Sequence, residues 1–187
     1  MAQLTALLYA VNLLLLVSFH VLNRHYSPVS NAVSDYGVGR TARLFRVYVV
    51  VGSVAALMLG REVWMASPAV PQAVAWYLVA MAAVRVGVGV FPTDLPGATP
   101  TRAGRIHLVF AILTFTLAYM SIAKATPFLA GAAPVLRPLH LAAMIGLAAV
   151  VVSMKGPLRP YFGIAERLFL FATALWFLVA ALSFAGG

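Results

Sequence analysis

The chain has 187 residues, a mean hydropathy of +0.98 and only 9% charged residues, where a soluble domain carries roughly a quarter, so a water-soluble globule is excluded. Its net charge of +9 is spread over short loops, the pattern of a membrane protein and not of a nucleic-acid surface. The lack of cysteine removes disulfides, thiolate metal sites and thiol redox chemistry.

Continuously apolar runs of about 20 residues must be helical in a bilayer, because a barrel strand would need roughly 10 residues of strict alternation. The fold class read from the sequence is therefore all-α, a polytopic transmembrane bundle forming one domain over residues 1–187. Its six spans are expected at 2–22, 44–66, 69–91, 105–125, 133–154 and 165–185. The first, "MAQLTALLYAVNLLLLVSF", has no basic leader and no small-residue cleavage site after it, and reads as a retained helix. The connections that follow are "NRHYSPVSNAVSDYGVGRTAR", "ASP", "PTDLPGATPTRAG", "ATPFLAGAAP" and "KGPLRPYFGIAER", with Pro and Gly where helices must stop or turn.

Basic residues orient the bundle. Arg24, Arg40, Arg43, Arg46, Arg102, Arg105, Lys155, Arg159 and Arg167 flank the odd connections, against Arg61, Lys124 and Arg137 at the even ones. That bias predicts odd connections in the cytoplasm and both termini outside, in the cell membrane. Trp64 and Trp76 then fall together at the outer interface.

The same bias gathers the ionisable groups. Asp35, Asp94 and Glu166 lie at the odd-loop end, as do His20, His25 and His107, while Glu62 and His140 lie elsewhere. Arg85 is placed about two turns inside the third span. Helical periodicity puts His107, Thr114 and Ser121 on one face of span four, and Glu166 with Thr173 on one face of span six. On span one, Asn12, His20 and Asn23 fall within an arc of about 80°. Polar groups inside a bundle face one another, so these stripes predict a polar pocket open to the odd-loop side. Each also has a plainer reading. Asp35 and Asp94 can cap turns, Thr101 can cap the fourth helix, and Arg85 can snorkel to pair with Asp94. His20 and His140 can each make an interhelical hydrogen bond.

At "SDYGVGRTARLF" and "VGVFPTDLPGATPTRAGRIHLVF" the chain resembles a family of bacterial and archaeal six-helix membrane proteins of unknown function. The matching residues are Ser34, Asp35, Tyr36 and Gly37, then Phe91, Pro92, Thr93, Asp94, Gly104 and His107. It is more distantly similar to the eukaryotic Frag1/DRAM-like proteins, some of which act in remodelling lipid anchors. These resemblances imply that Asp35, Asp94 and His107 belong to one site, without saying what that site does.

Three functions remain open at this point, as does whether the protein is an enzyme. The first is binding, with or without processing, of an amphipathic lipid. Asp35, Asp94 and His107 would be the catalytic groups, as acid and base or as ligands of a divalent metal. Ser34, Tyr36, Arg40, Arg43, Arg85, Arg102, Arg105 and Glu166 would bind the ligand, the arginines holding a phosphate. Tyr36 is expected at the membrane interface, on a loop that lids the pocket. The second is electron transfer through one haem b held by His20 and His107. The third is a transport or scaffold role with no chemistry. Membrane lipids are the expected partners, nucleic acid is not, and homo-oligomerisation is left open.

Overall fold

A computed structural model describes residues 1–66 and 69–185; Ser67 and Pro68 of the "ASP" connection lie outside the described residues. Six helices dominate: α1 (Ala2–Leu22), α2 (Ala42–Met65), α3 (Gln72–Val90), α4 (Arg102–Ala125), α5 (Ala133–Ser153) and α6 (Phe162–Ala185). All six are long and apolar enough to cross a membrane, and there is no strand among the described residues. Their outward faces carry Leu14, Val50, Val86, Val109, Ile145 and Leu182, the inverse of a soluble protein and the surface a bilayer solvates.

Local chemistry sets several boundaries. Helix α4 starts at Arg102, ahead of the expected 105, because the Thr101 hydroxyl accepts from Gly104 N–H at 3.0 Å and caps it. Helices α2 and α6 also start earlier than expected, since 3₁₀ turns at Gly39–Thr41 and Gly156–Tyr161 run directly into them.

Consecutive helices α1 to α4 pack side by side, α6 packs between α1 and α5, and α4 touches α5 and α6 only sparingly. The bundle is thus a ring with a thin seam beside α4. Its large core runs through Tyr9, Leu59, Leu78, Ile122, Phe169, Trp176 and Phe177. At the even-loop end, Trp176 Nε1 donates to Thr126 Oγ1 at 3.1 Å, and the rings of Trp64 and Trp76 meet edge to face at 5.8 Å. A second core of Leu16, Phe19, Val33, Tyr36, Phe45, Tyr48 and Val49 lies at the odd-loop end. It buries part of the first connection and so fixes the site.

Candidate functional site

The first connection folds back over the bundle as a 3₁₀ turn, Val33–Gly37. Tyr36 is buried, stacked on Phe19 at 5.2 Å and edge-on to Tyr26 at 5.4 Å. This corrects the expected interfacial Tyr36: Phe19, Phe45 and Tyr48, from α1 and α2, share one buried cluster with it and offer more apolar contact than the interface does. The connection also crosses the start of α6, where Ile164 N–H donates to Val29 O at 3.1 Å. Gly163 permits that crossing, since a Cβ there would lie 2.6 Å from Asn31 O.

Arg167 ties the arrangement together from within α6. Its Nε donates to His20 Nε2 at 2.7 Å, and its Nη1 donates to Asn31 O at 2.7 Å and to Gly163 O at 3.0 Å. The Tyr36 hydroxyl lies 3.5 Å from Nη2. The adjacent residue, Glu166, is buried and accepts from Val33 N–H at 2.5 Å. Asp35, 2% exposed, accepts from Asn31 Nδ2 at 2.8 Å and from Ala32 N–H at 3.2 Å. Burial raises the Asp35 pKa above the usual carboxylate value, and those two hydrogen bonds only partly oppose it.

Beyond this loop lies a vestibule of about 330 Å³. Asp35, Asp94, Arg105, Arg159, His107 and Glu166 give its wall both signs of charge, and Leu108, Ile112, Val150 and Met154 continue it between α4 and α5. Leu108 and Ile112 also lie on the outward face of the bundle, so the vestibule reaches the lipid-facing surface. Asp94 sits at the lip as a turn residue. Its carboxylate accepts from Thr101 N–H and Thr101 Oγ1, both at 2.8 Å, over the space left by Gly104. Those bonds, the backbone one foremost, hold its pKa below the usual value.

A smaller chamber of about 70 Å³ continues inward, and the two cavities share Ser34, His107, Ala111, Phe115 and Glu166 as a neck. His107 Nδ1 lies 2.7 Å from Phe91 O, which can only accept. In the neutral ring the proton is therefore on Nδ1, which leaves the buried Nε2 as an acceptor without a partner among the described residues. Arg85 lines the chamber with Asn12, Tyr9 and Thr173.

Asp35, Asp94, His107, Ser34, Glu166 and Arg105 thus border one vestibule. Arg85 borders only the inner chamber, and Arg40, Arg43 and Arg102 line neither cavity, being exposed at the loop surface. Asp94 and Arg85 do not pair: among the described residues the one ion pair is Arg61–Glu62. Nor do the residues suit the two cofactors weighed above. No three His, Asp or Glu side chains among the described residues assemble a metal-ligand set, since Asp35 is turned to its own loop and Asp94 to Thr101. Both nitrogens of His20 are engaged, Nδ1 with Leu16 O at 3.0 Å and Nε2 with Arg167, so His20 and His107 offer no pair of free axial nitrogens for haem. Arg167, Arg159, Asn31 and Tyr9 are site residues that sequence reasoning missed. For Arg167 the signal was that "ER" near a helix start puts neighbouring charges about 100° apart, so that they face different partners.

The chain belongs to the family of proteins of unknown function DUF998, whose model matches residues 5–183. No curated protein and no solved structure matches it.

Proposed function

We propose that this member of a family of unknown function binds a membrane lipid with a zwitterionic headgroup. The observation that carries the reading is a vestibule with both signs of charge on its wall and a side open towards lipid between α4 and α5. Its volume of about 330 Å³ suits a headgroup. Arg105 and Arg159 supply guanidinium forks for a phosphate, and the carboxylates of Asp35, Asp94 and Glu166, although held by protein donors, supply the negative field that an ammonium favours. A purely anionic headgroup fits less well, because three acids face two cations on that wall. Acyl chains would leave through the α4–α5 seam along Leu108 and Ile112.

The nine-to-three bias of basic residues supports a vestibule at the cytoplasmic leaflet of the cell membrane, with both termini outside. The resemblance of the SDYG segment to Frag1/DRAM-like proteins, some of them active on lipid anchors, points the same way. Binding is the role proposed. The partnerless His107 Nε2 at the neck is the group through which proton chemistry on a bound lipid would run.

Mass spectrometry of lipids retained by the protein in mild detergent tests the proposal. The expected result is about one ammonium-bearing phospholipid per chain, lost when Arg105→Gln and Arg159→Gln are combined. Retention of purely anionic lipids, or retention indifferent to both arginines, would overturn it. If neutralising these residues changed stability alone, a scaffold role would take its place.

A further inference from the structure

We infer that the inner chamber is a separate binding site for a single carboxylate group. Arg85 lies within a span, where an arginine without a counter-charge is strongly disfavoured. No acid stands within ion-pair distance among the described residues. Its guanidinium lies 4.6 Å from the centre of the Tyr48 ring and 3.5 Å from Asn12 Oδ1, two neutral neighbours. Space is kept for it, since a Cβ on Gly52 would fall 2.6 Å from its Cζ.

A second observation points to a ligand. Tyr9 and Thr173 belong to the wall of the same chamber, both residues are more than nine-tenths buried, and neither hydroxyl oxygen has a partner among the described residues. Guanidinium, phenol and hydroxyl are all donors. A carboxylate has about four lone-pair sites and accepts bidentately from arginine, so one such group would satisfy all three side chains.

Charge and size narrow the ligand further. Arg85 is the one cation on the chamber wall and Glu166 the one acid, which disfavours a dianion such as phosphate. A volume of about 70 Å³ holds about five waters, enough for a carboxylate and a few carbons. The carboxylate could belong to a small free acid or end the chain of an amphipath reaching through the neck. This site stands apart from the vestibule proposal, and its key residues differ.

The test is calorimetric titration of the protein in uncharged-lipid nanodiscs with propionate, octanoate and inorganic phosphate. The expected result is saturable 1:1 binding of carboxylate in preference to phosphate. Arg85→Gln should weaken it at least about tenfold, and Tyr9→Phe, which keeps the ring, several-fold. Arg105→Gln should leave it unchanged. Equal affinity for the two acids would identify the free acid as source, and tighter octanoate the chain-borne one; both support the site. Absence of saturable carboxylate binding, equal binding of phosphate, or indifference to both Arg85→Gln and Tyr9→Phe would overturn it. Lipid retention by the same variants reports on the vestibule alone, so either proposal can fail without the other.

Discussion

Arg167 donates from Nε to His20 Nε2 at 2.7 Å, joining the last helix to the first. His20 can accept there because its Nδ1 proton is given to Leu16 O. The same guanidinium holds Asn31 O, so one side chain clasps α1, α6 and the first connection.

Breaking this clasp should loosen the loop before it loosens the bundle. His20→Phe keeps a ring but leaves the Arg167 Nε–H without an acceptor, which should cost about 1–3 kcal/mol of stability. Arg167→Met removes charge and donors together and should release the loop outright. Hydrogen exchange over residues 31–41, with detergent unfolding as the measure of stability, checks this. Loop amides as protected in Arg167→Met as in the parent chain would show that the aromatic core alone seats the loop.

The two loop carboxylates should affect pH stability with opposite signs. The Asp35 pKa is raised on folding, so the folded chain binds the proton more tightly there. Stability from this group is present below the unfolded value and declines as pH rises from about 4 through the raised folded value. The Asp94 pKa is depressed, so its contribution is present above about 4 and is lost as pH falls through the folded value. Asp35→Asn should flatten the decline towards neutral pH, and Asp94→Asn the loss in acid. Unfolding midpoints from pH 3 to 8 on both variants decide it; matching profiles would mean that neither site is coupled to folding.

Orientation can be read directly, because the chain has no cysteine to interfere. Ala69 and Ala98 are both exposed, in the second and third connections. On intact cells, an impermeant maleimide should label Ala69→Cys and spare Ala98→Cys until the membrane is opened. The reverse pattern would move both termini inside.

What the sequence discloses follows the range of the interactions concerned. Six helices are legible because bilayer-length apolar runs leave the backbone no other way to pair. The Asp94–Thr101 turn is legible too, as its partners are 7 residues apart. The convergence of Asp35, His107 and Glu166 on one vestibule follows from helical faces and topology. Arg167 is opaque by the same reasoning. Beside Glu166 it looks like a cation resting at the membrane edge, and only the arrival of Asn31 and His20, 136 and 147 residues away, turns it inward. The burial of Tyr36 is hidden likewise, for it depends on rings from two other helices.

The thin seam beside α4 means that this bundle does not complete its own wall. Towards the odd-loop end of α4 and α5, Leu108, Ile112 and Val151 present hydrocarbon outward, where elsewhere in the ring a neighbouring helix packs closely. In a bilayer, hydrocarbon in contact with that seam would complete a wall that the helices leave thin.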